Sequence, residues 1–288
     1  MQILVQDGFP DYELIDSGDG MRLERYGSFR VARPDPQVLW KKHAPEHLWK
    51  RVDAVFDKSA ERGQWKILTK LPDHWNVRYN DLHFHARLTP FKHTGIFPEQ
   101  AIMWDWTTNL IRKSHRKIKV LNLFGYTGIA SVAAAKAGAQ VTHVDASKPS
   151  ITWANENMKA SGLSNDAIRW ILDDVLKFAR REVKRGNFYD GIIMDPPVYG
   201  HGPKKEAWDF YKHMPVLLEN CAKILSPHPI FFLINAYAIS SSAIMLGNIM
   251  EDMMSGHKGK TEYGELALKE SFGKRLLSTG IYARWQSH

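Results

Sequence analysis

The stretch that decides the fold is Val120-Leu121-Asn122-Leu123-Phe124-Gly125-Tyr126-Thr127-Gly128, then the Ala-rich run from Ile129 to Ala137, then Val141-Thr142-His143-Val144-Asp145. A short apolar run bounded by glycines reads as a buried strand. The alanine-rich segment has helix composition and stops at Gly138. Val141–Val144 is a second strand, closed by an acid. Strand, turn, helix and strand in so few residues form a parallel βαβ unit, because a crossover helix is what lets successive strands point the same way.

Outward from this unit the pattern repeats. A helix runs from Pro149 to about Ala160, with proline at its start and Gly162 past its end. Ile168–Leu172 is a third strand, a helix follows, and Gly191–Met194 is a fourth. Met214, Leu217, Leu218, Cys221, Ile224 and Leu225 share one helix face, and Ile230–Ile234 is a fifth strand. Glu265–Glu270 and Leu277–Arg284 form a hairpin about Ser271–Lys274. The sequence therefore predicts an α/β domain: a doubly wound, mostly parallel, seven-stranded sheet with a C-terminal antiparallel hairpin. It shows no internal repeats and no low-complexity segments.

The region before residue 91 reads differently. Tyr12–Ile15 and Phe29–Ala32 are short strands about a Ser17–Gly20 turn, and Leu48, Val52, Val55 and Phe56 recur at helical spacing. Trp65–Leu71 and Val77–Leu88 are strand-like. We expect residues 1–90 to form a small, mainly β (α+β) module and residues 91–288 the larger domain. Trp40, Trp49, Trp65 and Trp75 make the module aromatic-rich, a pattern of core packing more often than of base stacking.

The 288 residues carry 44% hydrophobic and 24% charged side chains, which excludes wholesale disorder. The net charge of +8 leans toward polyanionic partners such as RNA. A single cysteine, Cys221, excludes an internal disulfide and any multi-cysteine metal cage. No apolar run approaches the roughly 20 residues of a membrane helix, and the opening segment lacks a secretion signal. The expectation is a cytoplasmic protein without membrane association, of open oligomeric state.

In a doubly wound sheet, ligands bind beyond the carboxyl ends of the strands. After the first strand, Asn122, Phe124, Gly125, Thr127 and Gly128 form a glycine turn that lets backbone approach a ligand at a helix N-terminus. It is neither G-x-G-x-x-G nor a P-loop, and Tyr126 would obstruct a pyrophosphate. After the second strand, Asp145, with Ala146 and Ser147 following, stands where a carboxylate accepts ribose hydroxyls. After the third come Asp173 and Asp174. Asp174 is the favoured acceptor for an adenine amino group, with capping of the next helix the competing role. After the fourth comes Asp195-Pro196-Pro197-Val198-Tyr199. The prolines stiffen the backbone and should leave carbonyls directed into the cleft, an acceptor set for an amino group or planar base.

This series resembles the class I S-adenosylmethionine-dependent methyltransferases, whose fold is Rossmann-like. Asn122–Gly128 looks like their methionine-side loop, Asp145 like the ribose acid, and Asp195-Pro196-Pro197 like the acid-Pro-Pro motif of nucleic-acid methyltransferases. Leu14–Gly20, Arg33–Gln37 and His93–Gln100 are similar to the large-subunit (23S) ribosomal RNA methyltransferases that carry a small N-terminal β domain. The resemblance implies S-adenosyl-L-methionine as cofactor and SN2 methyl transfer to a base of RNA, ribosomal in kind. It also implies Thr94, Phe97 and Gln100 as cofactor contacts, and a catalytic set of Asp195, Pro196, Pro197 and Tyr199, with Asp195 touching the cofactor as well. Val198 intervenes before the aromatic, a departure from the amino-methylating pattern.

Other features weigh less. Cytosine C5 methylation needs a thiolate. Cys221 lies on a buried helix face, and Asn235-Ala236-Tyr237 stands where the C5 enzymes carry cysteine. Asn235 and Tyr237 could line the acceptor side or merely end a strand. His83, His85 and His93 lack accompanying carboxylates or cysteines, so no metal is expected. Arg112–Lys119 is the densest basic run and could track phosphates or be a solvated helix end. Lys204-Lys205 lies in a loop that reads as a mobile lid. The alternatives are a methyltransferase for protein or small molecules, a nicotinamide-dependent oxidoreductase, and a non-catalytic RNA-binding protein.

Overall fold

The computed structural model describes residues 1–57 and 63–288. The chain separates into two compact units: Val5–Ile102 with Ala267–Thr279, and Met1–Leu4 with Met103–Leu266 and Gly280–His288. Each follows from its own sequence pattern.

The larger unit is built on one eight-stranded sheet. Its strands are β1 (Gln2–Gln6), β2 (Lys119–Leu123), β3 (Gln140–Asp145), β4 (Ile168–Leu172), β5 (Gly191–Met194), β6 (Phe231–Ala236), β7 (Gly259–Lys269) and β8 (Leu276–Ser287), some reaching into the smaller unit. Their spatial order is β1-β7-β8-β6-β5-β2-β3-β4. β2 pairs in parallel with both β3 and β5, so the chain reverses its direction of travel across the sheet at β2. β8 runs antiparallel to β6, closing the parallel part as the hairpin expectation required. Seven strands match the sequence reading. The eighth, β1, is a short edge strand that gives little periodic signal.

Helices α1 (Ala101–Lys113), α2 (Ile129–Lys136), α3 (Lys148–Ala160), α4 (Val175–Arg185), α5 (Phe210–Ile224) and α6 (Ala243–Met254) accompany the sheet. One sheet face presents Leu121, Leu123, Val144, Met194, Phe232 and Ile234 to Phe178 of α4, Leu217 of α5 and Leu246 of α6. Strand alternation sends Phe231 to the other face, where Trp106 of α1 packs on it with ring centroids 5.8 Å apart. Polar side chains cap the helices. Asp174 accepts from the Lys177 N–H at 2.9 Å, and Asp209 from the Lys212 N–H at 3.1 Å.

The smaller unit holds a five-stranded sheet, Tyr12–Gly18, Met21–Tyr26, Phe29–Pro34, Ala54–Asp57 and Gln64–Ile67 in spatial order, with a separate hairpin of Trp75–Tyr79 and Leu82–Ala86. Two details correct the sequence reading. The Asp19-Gly20 turn leads into an unexpected strand, Met21–Tyr26, not directly to Phe29. Apolar alternation could not reveal it, because Arg22 and Glu24 are both buried as ions. The expected helix through Phe56 is only the turn Glu46–Lys50. Val55 and Phe56 lie in a strand, drawn there by pairing with Phe29–Pro34 and Gln64–Ile67.

Indole groups are spent internally here. Trp49 donates to Asp16 Oδ2 at 3.1 Å, Trp75 to the Tyr26 carbonyl at 2.9 Å, and Trp65 to the Thr89 carbonyl at 2.9 Å. At the centre, Glu24 Oε1 accepts from Tyr12 Oη at 2.8 Å and from Arg33 Nη2 at 2.9 Å, while Arg22 pairs with Asp35. Burial alone would raise the Glu24 pKa, but Arg33, Arg22 and the Tyr12 hydroxyl overcome it and hold it at about 2, below the ordinary 4.5.

Glu24→Gln would keep the shape and leave Arg33 buried without a counter-charge, so unfolding free energy should drop by about 3–5 kcal/mol in urea titration at neutral pH. A depressed carboxyl pKa stabilises above the unfolded value and loses that contribution as pH falls through the folded one. The wild-type chain should therefore lose this stability between pH 4.5 and about 2, and the variant should show a flatter acid profile.

Candidate active site

The register of the parallel strands sets the site. Val144 is level with Leu123, Leu123 with Met194, and Met194 with Ile234. The next residues, Asp145, Phe124, Asp195 and Asn235, therefore lie at one level, at the carboxyl edge and around the point where the chain reverses. Four residues spread over more than a hundred positions become neighbours by tier.

The glycine turn rests on a buried histidine. His143, on β3, is fully buried, and a Cβ on Gly125 would clash with its Cε1 and Nδ1. Ser131 Oγ stands 3.0 Å from His143 Nδ1 and accepts from Asn122 Nδ2 at 2.9 Å. Burial lowers the His143 pKa to about 3, so the ring is neutral. The Asn122 side chain is thus turned beneath the turn, toward Ser131. Gly128 has φ +76°, and a Cβ there would lie 2.6 Å from that of Ala154 on α3. Thr127 is buried, and its carbonyl accepts from Asn157 Nδ2 at 2.9 Å. The Phe124 ring packs on Trp208 at 4.7 Å between centroids. The turn is thus a backbone ledge, seated from below.

Asp145 is half-buried, with Oδ2 accepting from the Tyr126 N–H and Oδ1 from the Ser147 N–H, each at 2.8 Å. Burial raises its pKa, and backbone donors at Ser147, Tyr126 and Ala146 oppose the rise. The same bonds orient the carboxylate, and its oxygens keep acceptor capacity for another donor. Asp173 donates its N–H to the Asp145 carbonyl at 3.1 Å, and its side chain is paired with Arg181. Asp174 is buried and caps α4 through Oδ1. The capping role weighed against a ligand role is therefore real, and it leaves Oδ2 outside the cap bond.

At Asp195-Pro196-Pro197 one expectation is corrected. The Pro197 carbonyl is not free: it accepts from Trp208 Nε1 at 2.7 Å. Tryptophan, eleven residues on, was invisible as a partner because a hairpin of Tyr199–His201 with Ala207–Asp209 folds it back. Tyr199 is 69% exposed on that hairpin, with Lys204 and Lys205 exposed at its turn. The segment read as a loop is thus a hairpin, tied to α4 through Lys177 and Glu206 at 2.5 Å.

Of the remaining candidates, Thr94, Phe97 and Gln100 belong to the smaller unit. Arg116 of the basic run is engaged by Asp190 at 2.9 Å. Cys221 is fully buried, with its thiol pKa pushed up by burial. Among the described residues no group of three His, Cys, Asp or Glu is arranged to hold a metal ion, and no helix is long and apolar enough to cross a membrane. Sequence reasoning missed His143, Ser131 and Asn157. The signal for His143 was its place two residues before Asp145, on the same face of the strand.

Residues 40–257 match the S-adenosylmethionine-dependent methyltransferase family. A crystal structure of a SAM-dependent methyltransferase from Agrobacterium tumefaciens is similar with 42% identity and a TM-score of 0.96, covering 100% of this chain and 94% of that one. A curated relative named ribosomal RNA large subunit methyltransferase K/L, from Shewanella frigidimarina, is 35% identical over 147 residues, covering 50% of this chain and 20% of its own. The relative of the same name in Pseudoalteromonas translucida is 34% identical over 190 residues, 65% of this chain and 25% of its own. The chain thus spans about a fifth to a quarter of the length of these curated relatives.

Gly125→Ala should force the turn off the His143 ring. Overpacking of this kind costs about 1–3 kcal/mol, and calorimetric affinity for S-adenosylmethionine should fall about tenfold or more, since 1.4 kcal/mol is tenfold in affinity. Asp145→Ala should weaken the same affinity while the thermal midpoint moves little, since the side chain is only half-buried.

Proposed function

The chain belongs to the S-adenosylmethionine-dependent methyltransferases, and from that premise we propose that it methylates a base of RNA, ribosomal in kind, by direct transfer without a cysteine nucleophile. The residues fit the cofactor on two grounds. The Asp145 oxygens are oriented by the Tyr126 and Ser147 N–H groups and keep acceptor capacity for ribose hydroxyls. The Gly125 ledge offers backbone free of any Cβ, as close approach to a ligand requires. Asp145 would hold the ribose, the Asn122–Gly128 turn the methionine end, and Asp173 or Asp174 the adenine. Ala146 and Ser147 would line the ribose side. Thr94, Phe97 and Gln100 enter this reading on the family resemblance alone.

Bound S-adenosylmethionine supplies a methyl group on a sulfonium, already equipped with its leaving group. What remains for the protein is alignment and exclusion of water. Asp195 and the Pro196 carbonyl would accept N–H bonds from the acceptor base and aim its nucleophilic atom. Pro197, held by Trp208, keeps that backbone from swinging. Exposed Tyr199 is available for stacking on the base. Burial of Cys221 in the core supports a mechanism without a thiolate, because an attacking sulfur must reach the ring.

The single observation that carries the acceptor assignment is Asp195-Pro196-Pro197 on the tier of Asp145, beside the reversal of strand order. The RNA reading draws on the names of the curated relatives and the charge of +8. Under it, residues 1–90 serve as a docking module and Lys204-Lys205 touch the nucleic-acid backbone. A ribosomal acceptor carries a cytoplasmic location.

Asp195→Ala should lower labelled methyl transfer to unmodified ribosomal RNA by about 10²-fold or more, the scale of a misplaced reactant, with S-adenosylmethionine affinity within about twofold of wild type. Unchanged turnover would remove Asp195 from the mechanism. Mass spectrometry of ribosomal RNA from cells lacking the gene should show one methyl group missing.

A further inference from the structure

Two polar groups beside the proposed acceptor site are buried and bonded to nothing. Asn235, the penultimate residue of β6, is 4% exposed, and its Oδ1 has no hydrogen-bond partner. Tyr282, its cross-strand partner on β8, is fully buried, and its hydroxyl has none either. Antiparallel partners share a sheet face, so both side chains lie opposite to Phe232, Ile234 and Ala236, which join the main core. Polar groups next to the pair on this face are bonded to each other. Arg284 donates to Glu262 at 2.7 Å, and Trp106 Nε1 to Gln286 Oε1 at 3.0 Å.

More than nine in ten buried polar groups in folded proteins find a partner, and one left without costs about 1–3 kcal/mol. Two such groups on adjacent strands, at the carboxyl edge of the sheet, indicate a partner from outside the chain. The parallel register names the neighbourhood, since Asn235 follows Ile234 as Asp195 follows Met194. We propose that Asn235 and Tyr282 form the subsite that reads the edge of the acceptor nucleobase, taking a planar base that presents an N–H donor beside an acceptor. The Asn235 amide carries both complements of such an edge, and the Tyr282 hydroxyl can donate or accept. In this arrangement Asp195 and Pro196 aim the atom that is methylated, and Asn235 selects which base enters. The proposal rests on the RNA-base reading above.

The test uses the full chain saturated with S-adenosylhomocysteine and the four ribonucleoside 5′-monophosphates as probes. At least one nucleotide should shift the Asn235 side-chain amide resonances in nitrogen-edited NMR. Asn235→Ser should weaken that nucleotide about tenfold or more, the discrimination lost with a good amide–base pair, and Tyr282→Phe should weaken it about threefold or more. S-adenosylhomocysteine affinity within twofold of wild type shows that each variant is folded. No amide shift with any nucleotide, or variants that bind as wild type, would overturn the subsite. Variants that lose thermal stability while nucleotide affinity stays put would do the same, since that is the behaviour of a water-filled structural niche. Methyl transfer to ribosomal RNA reads the parent assignment separately. Unlabelled RNA alongside Asn235-dependent nucleotide binding would sink the RNA reading and leave the subsite standing.

Discussion

The site depends on the contact between Gly125 and the imidazole of His143. Nothing larger than a hydrogen fits between them, so the height of the ledge over the sheet is fixed by a ring that cannot move. The ring is held in turn, because Ser131 binds its Nδ1 and Asn122 binds Ser131. A neutral imidazole suits this role, since a charged one would carry a desolvation penalty with no counter-ion near it. Rigidity in the floor means that a ligand above meets backbone already in position, and ordering that backbone costs no binding energy.

Around that floor the parallel register does the work of assembly. A parallel sheet lines up strand ends that the chain visits in the order β2, β3, β4, β5, β6, and three of those ends add a polar side chain to one tier, Asp145, Asp195 and Asn235. Asp145 is aimed by two backbone N–H groups, Asp174 is tied into a helix cap, and the Pro197 carbonyl is tied by an indole. Each of these three groups is therefore fixed in direction by its partner, the arrangement that precise positioning requires. The smaller unit follows a different logic. Its interior joins Arg22, Arg33, Glu24 and Asp35 in a buried ionic network that settles strand pairing at the cost of desolvation.

Much of this was legible along the chain. The alternation of Val120–Phe124, the alanine helix and Val141–Asp145 led to the parallel sheet, and every later strand of that sheet lay within a few residues of its expected place. The shortfalls share a cause. Met21–Tyr26 was hidden because its inward residues are charged, and their burial is tolerable only once Asp35 and Arg33 arrive from another strand. Val55 and Phe56 carry a helical spacing that strand pairing overrides. The Pro197 carbonyl looked free because Trp208, which occupies it, comes back through a hairpin that local pattern did not announce.

By itself the sequence determined the order and type of the strands in the parallel part of the large sheet, the acids at the strand tips and the family they resemble, because hydrophobic period and turn chemistry are local properties. Only the tertiary structure decided that Gly125 meets His143, that Asp195 and Asn235 share a tier, and that Asn235 and Tyr282 are buried together without partners. Those facts arise from register and close packing between segments far apart in the chain, and no window of neighbouring residues contains them.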